Sequence, residues 1–104
     1  MPGYELVLQF RGRRVETEEE IVEIEDAVVE LLSDGESWEG HEVGRDARNI
    51  CLLTGDANAT LARLIPFLER ASLLEHVVAA ARPLAGEAYT VLWPQDGRPA
   101  FHRA

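Results

Sequence analysis

The sequence predicts an α+β domain, a ferredoxin-like βαββαβ sandwich with an additional C-terminal strand. Three observations predict it. Alternating or continuous apolar runs of strand length recur along the chain, two helical apolar stripes separate them, and the order reads β-α-β-β-α-β-β, the plan of two βαβ units sharing one antiparallel sheet. A chain of 104 residues with 46% apolar content suffices for one core, so residues 1–104 are expected to form a single domain.

Tyr4, Leu6, Leu8 and Phe10 point to one side of the first strand, while Glu5 and Gln9 point to the other, the pattern of a strand with one side buried. Val7 interrupts the polar side. This opening lacks the continuous apolar stretch of a signal peptide and leads into an Arg-rich turn from Arg11 to Arg14.

Thr17-Glu18-Glu19-Glu20 matches a capping box, with Thr17 as N-cap and Glu20 reaching back, and its three carboxylates suit the positive end of a helix. Ile21, Ile24, Val28, Leu31 and Leu32 recur at helical spacing, widened by Val22 and Val29, until Asp34-Gly35 ends the helix. Glu19, Glu23, Asp26 and Glu30 form the opposite ridge. Glu25 falls inside the apolar arc, either as a partly buried carboxylate or as a long side chain snorkelling at its edge, and the second is expected.

A short strand is expected over Ser37 to Val43, within the polar segment from Glu36 to Asp46. Asn49 to Thr54 is short, apolar and ended by Gly55-Asp56, as an interior strand would be. A second helix runs from about Ala57 to Ala71, capped by Asp56 or Asn58, with Leu61, Leu64, Ile65 and Leu68 facing inward; Pro66 predicts a kink or local break in it. Glu75 to Arg82 reads as a strand, because Val77-Val78 and the nearby Pro83 outweigh the alanines. Ala88 to Trp93 is the last strand, closed by Pro94, and residues 95–104 lack periodicity and are expected to be loosely held.

The formal charge is -9, from 19 carboxylates against ten basic residues, all of them Arg. Nucleic acid and anionic membrane surfaces are therefore not expected as partners, since both need a basic patch, and no run is long enough to span a bilayer. The absence of lysine removes Schiff-base chemistry, pyridoxal phosphate attachment and any Walker-type phosphate loop. The single cysteine, Cys51, lies in the apolar run Ile50 to Leu53 and is expected to be a small buried hydrophobe; a cytoplasmic setting follows.

The charge is one-sided. Residues 16–46 hold thirteen of the 19 carboxylates against Arg45 alone, a net of -12, which leaves +3 for the rest of the chain. The ordinary reading of such a run is a solvated face. The sharper one is a docking surface, because Trp38 amid Glu36, Glu39, His41 and Glu42, with Glu23, Asp26 and Glu30 on the preceding helix, is an aromatic anchor with a charged rim. The expected function is thus a non-enzymatic interaction module, immunity-protein-like or homodimeric, whose partner is a basic protein or a second copy.

Catalytic chemistry finds less support. His41 stands among Asp34, Glu36, Glu39, Glu42 and Asp46, yet no pair has a diagnostic ligand spacing, so neither a metal nor a cofactor is expected. Ser33, Ser37 and Ser72 lie outside any nucleophile elbow, and an aspartate in Thr54-Gly55-Asp56 would repel a phosphate and serves more simply as a helix cap. Gln9-Phe10-Arg11-Gly12 is similar to the anion loop of acylphosphatases, which share the fold plan, but lacks that family's Gly-rich frame; no activity is carried to Arg11. No catalytic residue is assigned, and His76 and His102 stay without a role. The alternative function is a small-molecule or metal-binding domain or enzyme with a site around His41, using Glu39 or Glu42 with it as acid and base.

The second half carries Gly40-His41-Glu42-Val43-Gly44, then Asn49-Ile50, then Thr90-Val91-Leu92-Trp93-Pro94. In this it resembles small uncharacterised bacterial α+β proteins with a Gly-His-x-x-Gly stretch, an Asn-Ile strand and a late strand ending Thr-Val-Leu-Trp-Pro. The resemblance implies the fold class and brings no activity.

Overall fold

The central strand β1 (Tyr4–Arg11) pairs antiparallel with β3 (Ala47–Thr54) on one side and with β4 (Val77–Pro83) on the other. The computed structural model describes residues 3–11, 17–44, 47–95 and 101. Among them, β2 (Ser37–Val43) lies outside β3 and β5 (Thr90–Trp93) outside β4, so the order across the sheet is β2-β3-β1-β4-β5, antiparallel throughout. Two helices, α1 (Glu18–Leu31) and α2 (Ala57–Arg70), and a 3-10 turn at Leu74–His76 complete an α+β architecture. No helix among the described residues is long and apolar enough to cross a membrane.

The core forms on one side of the sheet because the strands alternate. Leu6, Leu8 and Phe10 of β1 align with Ile50 and Leu52 of β3 and with Val77, Ala79 and Ala81 of β4, and Ile21, Ile24 and Val28 of α1 and Leu61, Leu64 and Leu68 of α2 close over them. Small alanines in β4 let the neighbouring large side chains interdigitate.

The expectation that Glu5 and Gln9 face solvent is corrected: each is only 2% exposed, and Val7 between them is fully buried. Polar pairing makes this burial affordable. Glu5 accepts from Arg82 Nε at 3.2 Å and from the Tyr89 hydroxyl, while Gln9 donates to Asn49 Oδ1 at 3.1 Å and accepts from Arg11 Nε at 2.7 Å. Phe101 packs its ring 4.8 Å from that of Tyr89, so the one described residue beyond position 95 is seated on this side; the rest of the tail expected to be loose lies outside the described residues.

The capping signals at the start of both helices hold. Thr17 Oγ1 accepts from the Glu20 N–H at 3.1 Å and Glu20 reaches back to the Thr17 N–H, which is the capping box. α1 stops at Leu31, one turn before the expected Asp34-Gly35, which form a tight turn closed by the Glu36 N–H on Ser33 O, with Gly35 at φ +85°. Asp56 caps α2 through the Ala59 N–H at 3.0 Å. Pro66 sits inside α2 without breaking it; Ala62, whose carbonyl loses its donor, is on the exposed side and open to water. Beyond it the chain turns by a Schellman motif, Leu73 N–H to Leu68 O and Ser72 N–H to Glu69 O, with Ser72 at φ +58° where glycine is usual. The strand expected from Glu75 begins at Val77, after the 3-10 turn.

Candidate functional site

The site begins with an irregularity in β2. Trp38 pairs with Leu52 and Gly40 with Cys51, so Glu39 is an extra residue in the ladder, a β-bulge. In a regular strand, residues three apart lie on opposite sides. The bulge shifts that alternation by one, so Trp38 and His41, paired with Leu52 and Ile50, both face α1. Gly40 permits it at φ +145°, a backbone region that other residues rarely adopt.

What they meet is Glu25. The carboxylate is 5% exposed, and one oxygen accepts the Trp38 indole N–H at 2.6 Å. The other lies 2.7 Å from His41 Nδ1, a close contact that lacks hydrogen-bond geometry. The snorkelling expected of Glu25 is therefore corrected; the Trp38 indole N–H compensates its burial, with the His41 ring packed close on the other oxygen.

Around this centre α1 turns gradually to solvent. At about 100° per residue, Val22 and Val29 lie just outside Glu25, with Asp26, Glu19, Glu30 and Glu23 following in turn. Val22 and Val29 are 41% and 44% exposed, Trp38 46% and Val43 59%, so α1 and β2 each present exposed apolar side chains. Glu23, Asp26 and Glu30 are exposed beside it, as is Glu39 at the bulge. Residues 17–44 contain eleven carboxylates and neither Arg nor Lys, while Arg48 of β3, paired with Val43 and donating to Gly44 O at 3.5 Å, puts a cation at the end of β2.

Two of the sequence-predicted site residues are placed elsewhere. Glu42 is on the far side of the sheet, accepting from Asn49 Nδ2 at 3.1 Å and lying 4.0 Å from Cys51 Sγ. Cys51 is buried there, as its sequence context predicts. Glu36 ties the turn after α1 to α2, accepting from Arg63 Nη1 at 2.6 Å, from the Ser33 N–H at 2.7 Å and from the Thr60 hydroxyl at 2.5 Å. Burial disfavours its charge, but the Arg63 guanidinium, the Ser33 N–H and the Thr60 hydroxyl outweigh that and bring its pKa down from 4.5 to about 2. Neither Glu39 nor Glu42, the partners expected for His41, pairs with it; Glu25 does.

Among the described residues no group of three or more His, Cys, Asp or Glu side chains is arranged to hold a metal ion. Sequence reasoning missed Glu25 as the organising residue and the two valines as part of the surface. The available signal was Gly40, since an isolated glycine inside a strand marks a bulge, and one added residue brings Trp38 and His41 to the same side.

No protein-family model matches the chain. No curated protein and no solved structure matches it significantly.

Proposed function

We propose that the chain is a protein-interaction module that receives a basic protein partner on the α1–β2 seam. The observation that carries this reading is Trp38, nearly half exposed yet held in one orientation by its 2.6 Å bond to buried Glu25. A large aromatic presented rigidly, next to exposed valines and rimmed by charge of one sign, is the composition of a binding hot spot. Glu23, Asp26, Glu30 and Glu39 supply a field that accelerates encounter with a cationic partner and rejects an anionic one.

A second copy fits less well than a basic partner. Association through this seam would bring two carboxylate sets together, and the far side of the sheet, with Glu5, Val7, Gln9, Asn49 and Ala80 all buried, offers little surface for it. We read the architecture as ferredoxin-like with one added strand, on the grounds that β1 lies between β3 and β4, β2 lies outside β3, and both helices pack on one side. A cytoplasmic setting belongs to the same proposal, supported by a single free and buried cysteine.

The test is capture on the immobilised chain from its native lysate. A basic protein should be retained at 0.1 M salt, where the Debye length is about 10 Å, and released near 0.5 M. Trp38→Ala should abolish retention, and so should reversing Glu23, Asp26 and Glu30 to Arg. If no salt-sensitive basic protein is retained, the reading fails, whether the chain sediments as a monomer or as a dimer.

A further inference from the structure

At the opposite edge of the sheet from Trp38, a cleft of about 770 Å³ opens between the C-terminal end of α2, the 3-10 turn and the end of β5. Clefts of that size hold small organic molecules. Glu69, Ser72, Leu74, Glu75, His76 and Trp93 line it.

Its chemistry is directional. Neither Glu69 nor Glu75 has an ion pair or a side-chain hydrogen bond among the described residues, so both charges are available to a ligand. α2 ends here, and the carbonyl end of a helix adds negative potential. Arg11 also reaches the wall, where its Nε donates to Gln9 at 2.7 Å; its single positive charge is set against the two carboxylates of Glu69 and Glu75. Trp93 donates its indole N–H to Leu74 O at 3.3 Å. That bond uses the ring's only donor, so what Trp93 adds to the cleft, with the neighbouring Leu74 and Val77, is apolar and aromatic surface. Unpartnered carboxylates beside an indole suit an ammonium ion, which pairs with the former and is attracted to the ring quadrupole of the latter.

We propose that this cleft binds an organic cation, an ammonium group carried on an apolar or aromatic body, with Glu69 and Glu75 taking the charge and Trp93 and Leu74 the body. The site is independent of the α1–β2 seam, and no residue of that seam takes part in it.

The full-length chain titrated with 2-phenylethylamine tests this, with 3-phenylpropionate as the charge-reversed control and putrescine as the control lacking a ring. Saturable binding of phenylethylamine in the millimolar range is expected, with a rise in Tm of a few degrees and affinity about tenfold above either control. Glu69→Gln with Glu75→Gln should weaken binding about tenfold, and both replaced side chains are exposed, so the fold is retained. Trp38→Phe should leave the affinity unchanged. Absence of saturation, equal affinity for phenylpropionate, undiminished binding in the double variant, or loss in Trp38→Phe would each overturn the proposal.

Discussion

The indole N–H of Trp38 and the carboxylate of Glu25 meet at 2.6 Å across the seam between β2 and α1, so a surface aromatic is anchored by a buried acid. Removing the acid should release the ring. Glu25→Ala is expected to cost about 1–2 kcal/mol in urea unfolding, the loss of a hydrogen bond to a charged acceptor, and to red-shift Trp38 emission as the ring becomes mobile in water. Glu25→Gln keeps an acceptor for the indole and should cost less. Equal stability of the alanine variant and the parent would remove Glu25 from its organising role.

Trp38 itself separates stability from binding. Its side chain is nearly half exposed, so the loss in Trp38→Ala should be confined to the bond it gives buried Glu25, about 1–2 kcal/mol. Against a basic partner the same change should weaken affinity by about 2 kcal/mol, roughly thirtyfold, measured by calorimetry. A large stability loss with unchanged affinity would make the residue a structural cap.

The Glu36–Arg63 pair gives a pH dependence of known sign. Glu36 has a pKa near 2 when folded, below its ordinary 4.5, so its contribution is present above about pH 4.5 and is lost as the pH falls through about 2. Glu36→Gln should therefore be less stable than the parent at pH 7, by about 1 kcal/mol once solvent screening around the half-exposed Arg63 is allowed for, and the gap should close on acidification to pH 2. A gap that is constant with pH would mean that the charge contributes nothing.

Gly40 is predicted to be intolerant for a backbone reason alone. A Cβ there would meet nothing within 4 Å, yet φ of +145° is strained for any residue that has one. Gly40→Ala should cost about 1–3 kcal/mol in chemical denaturation, and cross-peaks of Trp38 and His41 should shift in NMR spectra. A neutral substitution would show that the bulge can be accommodated differently.

Ser72 makes the reverse prediction. It holds φ of +58° at the end of the Schellman motif, where a side chain is disfavoured. Ser72→Gly should raise stability by about 0.5–1 kcal/mol, read as a higher Tm. A drop would indicate that the hydroxyl supplies a stabilising interaction that outweighs the strain.

Elements with strong local causes were legible in the sequence. The capping box at Thr17, the Asp56 cap, the continuous run Ile50 to Leu53 and the alternation in β1 each depend on neighbours within a few positions, and each takes its expected place. The side of the sheet holding Glu5 and Gln9 was not, because Glu5 is paired with Arg82 and Tyr89, 77 and 84 positions away, and Gln9 with Asn49, 40 positions away. The candidate site was half legible. Charge and Trp38 marked the region from composition and periodicity placed Glu25 in the apolar arc, while its bond to Trp38 is a contact between elements that periodicity alone cannot register.

The bulge at Glu39 makes the site depend on the number of residues between Trp38 and His41 more than on what they are. Glu39 is exposed at the bulge, and a polar exchange there leaves that spacing intact. Deleting it would restore regular alternation and carry Trp38 and His41 to opposite sides of the sheet, so that Glu25 would keep at most one of its two neighbours in β2. Sequence drift at this surface should therefore tolerate substitution and reject a change of length, which sets it apart from an ordinary loop or edge strand, where insertions and deletions are the cheaper changes.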